Sequence, residues 1–266
     1  SESSDDFAML LIKLNRDTRK GTVVHSYALS GANLKTHIKY LAYVLTHFNV
    51  VAIVGDYNGG VQFVNSCNES DIFKKRNIKL GVIEAELDKA QDYEKNLRKL
   101  KNQYNLSEKN IVFLRKPTSP WIRVANESLQ SAFDHKKIFF AGAAMNDDYN
   151  VQRKSKIPIK DLKFLRSDPN EKGTIGARMI DFVEHQKDMM DLIKVQCALI
   201  QITTSLQGTQ SFDLPPSLRK QKGADKARKD SYSALVLCNW MMNVFYDMEA
   251  YDGASGQNTF TPMFIS

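Results

Sequence analysis

One segment constrains the fold more than any other: Val50-Val51-Ala52-Ile53-Val54-Gly55-Asp56, followed by Tyr57-Asn58-Gly59-Gly60. A continuous apolar run of strand length between helical patterns reads as a central strand covered on both faces. The run ends on an acid, and α/β sheets place their sites at the carboxyl ends of strands. Asp56 therefore has two readings. It is a metal ligand held at a sheet edge, or it is a turn former, since Asp-Tyr-Asn-Gly-Gly is also good turn chemistry. Gly59 and Gly60 divide the same way, between backbone lying close to a phosphate and a permissive helix start.

The flanking pattern supports an α/β domain with a mixed sheet. Two β-rich runs, 7–14 and 22–29, enclose the polar stretch Asn15–Gly21 and suggest a hairpin. Asn33 is placed to cap a helix over 34–48, with Leu34, Ile38, Leu41, Leu45 and Phe48 on one face. A helix from about 60 to 69, strands at 78–84 and 110–114, a charged helix near 87–104 and a helix at 121–134 follow. Ile138-Phe139-Phe140 is short and apolar. From about 145 to 175 apolar residues thin out and bases accumulate, among them Arg153, Lys154 and Lys156; this reads as a basic excursion from the core. A helix at 177–196, a β-like run at 198–204 and a closing helix at 230–248 complete one domain, 1–248. The Gly/Ser/Asn-rich stretch 249–266 is expected to be a flexible tail.

The second chemically suggestive segment is Lys226-Ala227-Arg228-Lys229-Asp230-Ser231-Tyr232-Ser233-Ala234-Leu235, an acid among bases at the start of an apolar helix. Asp230 is either a first-turn acid favoured by the helix dipole or a second metal ligand. In the second case Lys226, Arg228 and Lys229 would meet backbone phosphates. Two or three carboxylates converging from a strand end and a covering helix are what a pair of divalent cations needs to cleave a phosphodiester.

The rest of the composition narrows the field. With 37 Lys+Arg against 30 Asp+Glu the net charge is +7, a balance that favours polyanions. Three cysteines, Cys67, Cys197 and Cys238, are scattered and odd in number, which argues against structural zinc and for a reducing compartment. The five histidines (His25, His37, His47, His135, His185) show no ligand spacing, and Trp121 and Trp240 occupy apolar positions expected in the core. Glu84 and Glu86 lie near a strand end but carry no further signal, and Asp5 and Asp6 alone read as solvated terminal acids. No apolar run approaches a membrane-spanning length, no signal peptide is expected, and no GxxxxGK[ST] phosphate loop is present to drive an NTP motor. Ser1 is not an initiator Met, so the chain reads as a piece of something longer.

Taken together, the segments resemble the nuclease domain of the terminase large subunit, the DNA-packaging enzyme of tailed bacteriophages. The resemblance rests on Ser3-Ser4-Asp5-Asp6-Phe7-Ala8, the strand ending at Asp56 with its Gly-Gly pair, and Arg123-Val124-Ala125-Asn126 before Ile138-Phe139-Phe140. It continues through Gly208-Thr209-Gln210-Ser211-Phe212-Asp213-Leu214-Pro215 to Arg228–Leu235, the most specific of these motifs, and so spans nearly the whole chain. It implies a ribonuclease-H-like fold and an endonuclease cutting double-stranded DNA with two Mg²⁺ or Mn²⁺ ions. Asp56 and Asp230 match two of the family's metal-binding acids, and Asp6 looks like an additional one. The resemblance also implies an upstream ATPase motor domain, portal protein and small terminase subunit as partners, and the cytoplasm of an infected bacterial host as location. The family's first-strand acid would precede Ser1, so the chain is expected to lack one central strand and one ligand.

The expected chemistry is metal-assisted phosphodiester hydrolysis, with Asp56, Asp230 and Asp6 as ligands. Lys226, Arg228, Lys229 and the 145–175 excursion would grip duplex phosphates without reading bases. Two rivals share these features: another ribonuclease-H-like nuclease of resolvase or transposase type, and a non-catalytic DNA-binding or docking module.

Overall fold

A computed structural model of the chain describes residues 7–29, 34–84, 110–141, 188–205, 210–219 and 229–255, the last eight as backbone only. The expected hairpin is β1 (Phe7–Asn15) and β2 (Lys20–Leu29), antiparallel and in register from Phe7↔Leu29 to Asn15↔Lys20. The register shifts between Leu11 and Ile12, where Val24 is the extra residue of a bulge that sharpens the local twist. At the turn the Thr18 N–H donates to Asn15 Oδ1, and Arg19 takes a positive φ of 50°.

Helix α1 (Leu34–His47) leads to β3 (Ile53–Asp56), α2 (Tyr57–Glu69), the short α3 (Asp71–Lys75) and β4 (Gly81–Glu84). Then come β5 (Ile111–Arg115), α4 (Ser119–Asp134) and β6 (Ile138–Phe140). A helix over 188–199, here α5, precedes the hairpin β7 (Gln201–Thr204) and β8 (Gln210–Asp213), the turn of helix α6 (Pro216–Arg219) and the long α7 (Asp230–Ser255).

The strands form separate sheets: β1-β2-β6, β3-β5-β4 and β7-β8. The first is mixed, with β2 and β6 parallel, and the second is wholly parallel. The architecture is α/β. Helices bind the two larger sheets together from both sides. On one side α1 sends Tyr40, Tyr43 and Val44 against Leu11 and Tyr27, and Ile38 and Leu41 against Val112 and Leu114. On the other side α7 meets Val23, Trp121 and Ile138 through Leu235, Met242 and Tyr246, while Met241 and Phe245 pack on Ile83, Ile111 and Phe113. A helix that buries more than one face must be apolar nearly all round, as α7 is from Tyr232 to Tyr246. Each large side chain buried here contributes about 1.5–3 kcal/mol.

The structure corrects three expectations. The central strand of its sheet is β5, buried from Ile111 to Arg115, whereas the 50–56 segment forms a strand only over Ile53–Asp56 and lies at the edge. Local composition shows that a run is apolar; it does not show how many neighbours the run acquires. The closing helix does not stop at 248 but runs to Ser255, because propagation is favourable once a long helix is nucleated and Gly253 alone does not end it. Helix α4 starts at Ser119 rather than 121, with Pro120 in the first turn, where its missing N–H costs nothing. The charged stretch 87–104 and the basic excursion at 145–175 lie outside the described residues.

Candidate functional site

Strand β3 delivers Asp56 to the carboxyl end of its sheet. There the Asp56 carboxylate accepts the Asn58 N–H at 2.8 Å and caps α2. The chain enters the helix through a kink at Asn58 and Gly59, and Gly59 has φ +82°, a conformation costly to residues with a Cβ. At Gly60 a Cβ would stand 2.6 Å from Leu114 Cδ2. Local geometry thus explains both glycines, and it makes Asp56 a turn residue placed at a sheet edge.

Asp230 is the first residue of α7, and three helices hold it in place. The Ser233 N–H donates to Lys229 O at 2.9 Å, closing the first helical turn. The Tyr232 N–H donates to Gln196 Oε1 on α5 at 2.9 Å, and the Tyr232 hydroxyl donates to Asn126 Oδ1 on α4. Asn126 in turn gives its Nδ2 to the Ile122 carbonyl. Burial pushes the Tyr232 hydroxyl pKa up, so it stays a neutral donor.

Asp56, exposed, and Asp230, half-buried, line one cavity of about 910 Å³. Its walls are β1, β3, α7 and parts of α1 and α2. Both acids are hard oxygen donors of the kind Mg²⁺ and Mn²⁺ take. Among the described residues no group of three or more His, Cys, Asp or Glu gathers as a ready metal site. Asp6, expected to join them, lies outside the described residues, although Phe7, to which it is bonded, lines the same cavity. Glu84 ends β4 in register with Leu114 and is exposed, and Glu86 lies outside the described residues.

No family model, curated protein or solved structure matches this chain.

Of the expected phosphate-gripping residues, Lys226, Arg228, Arg153, Lys154 and Lys156 lie outside the described residues. Lys229 is committed elsewhere: its Nζ lies 3.0 Å from Asp213 Oδ1 and donates to the Phe212 carbonyl at 3.2 Å. Arg219 pairs with the other Asp213 oxygen at 3.2 Å. Partial burial disfavours the charged form of Asp213. The hydrogen bonds from Lys229 and the Leu214 N–H, with the attraction of Lys229 and Arg219, outweigh that and hold the carboxyl below its ordinary value. Asp213 thus anchors the segment leading into α7, a role that spacing alone did not suggest.

Arg115 was also missed. It is 6% exposed, ends β5 in register with Asp56, and places its guanidinium carbon 5.3 Å from the Trp121 ring and 5.4 Å from the Trp240 ring. The signal was present in Ile111-Val112-Phe113-Leu114-Arg115, an apolar run ending on a charge just as 50–56 does. The three cysteines are buried or half-buried thiols; burial pushes those of Cys67 and Cys238 up to about 12 and that of Cys197 to about 11, where none is a nucleophile at neutral pH.

Proposed function

We propose that the chain is a metal-dependent endonuclease acting on double-stranded viral DNA, the nuclease part of a terminase large subunit with a ribonuclease-H-like fold. One observation carries this reading: Asp56 and Asp230, remote in sequence, line the same cavity beside a sheet edge. The motifs quoted above and the +7 charge add to it.

In this reading Asp56, Asp230 and Asp6 would hold Mg²⁺ or Mn²⁺, which when bound supply an activated water and charge stabilisation for the leaving 3′-oxygen. The protein's own work is positional. The Asn58 N–H fixes the Asp56 carboxylate, while Gln196 and Asn126 fix the first turn of α7 and with it Asp230. Lys226 and Arg228 would take the phosphate contacts, with Lys229 sharing its charge with Asp213. An upstream ATPase motor, a portal protein and a small terminase subunit are the proposed partners, and the infected bacterial cytoplasm the proposed location.

Plasmid cleavage in Mn²⁺ tests the proposal, with Asp230→Asn and an EDTA control alongside. Cutting that requires metal and disappears in the variant is the expected result. DNA binding without any cutting by the unaltered chain would replace the nuclease with a DNA-binding module.

A further inference from the structure

The cavity that Asp56 and Asp230 line has a second property, independent of any nuclease chemistry. It is bounded by six successive residues of β1, Phe7–Ile12, and by every residue from Val50 to Asp56. Consecutive residues of a strand line a space only where the strand presents its backbone edge to it, because side chains alternate between faces. Among the described residues, strand β1 is hydrogen-bonded on one side, to β2, and β3 on one side, to β5. Two sheet edges without a described partner therefore face each other across one cavity.

Both edges have central-strand sequences. Along β1, Met9 and Leu11 pack toward α1, while Leu10, Ile12 and Leu14 pack toward the cluster around α7. In the 50–56 segment Ile53 turns to the α1 side, and Ala52 and Val54 to the cluster holding Met241 and Phe245. Each run is covered on both faces yet paired on one edge, an arrangement that natural sheets otherwise avoid or blunt with charge. Strand polarity is also fixed. Leu14, late in β1, shares a cluster with Val51 and Ala52 at the start of the other run, and the Phe7 ring lies 4.9 Å from that of Phe63 on α2, which follows the end of β3. The two edges thus run antiparallel.

We propose that the cavity is a β-strand acceptor slot. It takes an extended strand of about six residues, apolar on both faces, antiparallel to β1 and parallel to β3, supplied by another polypeptide segment. The inserted strand would join the two three-stranded sheets into one of seven, in the order β6-β2-β1-inserted strand-β3-β5-β4. Only a polypeptide backbone satisfies two rows of N–H and C=O groups at once. A strand buried on both faces is a near-continuous apolar run. None of the segments of this chain outside the described residues holds five successive apolar residues, so the occupant comes from elsewhere.

Hydrogen exchange on the whole chain tests the slot, with a seven-residue peptide of alternating Val and Ile flanked by Lys as probe and its central-Pro counterpart as control. The probe should slow amide exchange in β1 and β3 at least tenfold and leave β4 unchanged. It should also slow N-ethylmaleimide labelling of Cys238, which lines the cavity. The Pro peptide, lacking a ladder donor, should do neither. Absence of protection at millimolar probe would overturn the proposal, as would equal protection by the Pro peptide. Protection that tracks protein concentration alone would overturn it in favour of pairing between two copies of the chain.

Discussion

Removing one oxygen tests how the start of α7 is held. In Tyr232→Phe the ring keeps its place but the donor to Asn126 Oδ1 is gone. Asn126 is 6% exposed and its Nδ2 stays on the Ile122 carbonyl, so the amide cannot turn to water without breaking that second bond. A buried acceptor stripped of its donor costs about 1–3 kcal/mol. In a chain of this size each kcal/mol moves Tm by about 2–4 °C, so thermal unfolding followed by circular dichroism should fall by about 2–12 °C. Pairing the change with Asn126→Ala isolates the interaction: the double variant should lose less than the sum of the singles by about 0.5–3 kcal/mol. The backbone bond from Tyr232 to Gln196 survives in every variant and keeps α7 anchored at one point. A Tm within about 1 °C of the parent, or strictly additive losses, would refute the argument that this hydroxyl fixes the helix carrying Asp230.

Three other outcomes are expected. Asp56→Ala should cost about 1 kcal/mol through loss of the α2 cap, whereas Asp56→Asn keeps the cap within a few tenths yet abolishes metal-dependent cleavage; denaturant melts beside plasmid assays separate the two roles. Because the folded-state pKa of Asp213 is depressed, its stabilisation is complete above the unfolded carboxylate value of about 4 and is lost as pH falls through the lower folded value. The stability gap between the parent and Asp213→Asn, measured by urea unfolding across pH 7 to 3, should therefore close at the acid end. Charge reversal at Arg153, Lys154 and Lys156 should weaken DNA binding and reduce the salt slope by about 0.9 for each phosphate that is no longer neutralised, as read by anisotropy titrations at several salt concentrations.

The parts of the fold written into local pattern were legible. The hairpin, α1, α4 and the apolar α7 follow from alternation, period and capping residues that act within a few positions. Pairing was not legible, because it is decided by segments far apart: nothing in Ile111–Arg115 distinguishes its doubly paired place from the singly paired place of Ile53–Asp56. The site shows the same division. The meeting of Asp56 and Asp230 in one cavity agrees with what their flanking residues suggest. The salt link from Lys229 to Asp213 needs the β7-β8 hairpin to fold back beside α7, and the burial of Arg115 needs two tryptophans from different helices. Neither arrangement has a signature within a sequence window.

The Arg115 arrangement also gives the molecule an optical property. Trp121 and Trp240 are its only tryptophans, and their rings meet edge to face at 5.9 Å beneath one guanidinium. All indole emission therefore originates at a single junction, where the end of β5, the first turn of α4 and the middle of α7 come together. That junction adjoins Asp56 through the β3–β5 register and is continuous with Asp230 through α7. The chain carries its own fluorophore at the point where a change in either carboxylate's support would first be felt, so intrinsic fluorescence reports on the site without any label.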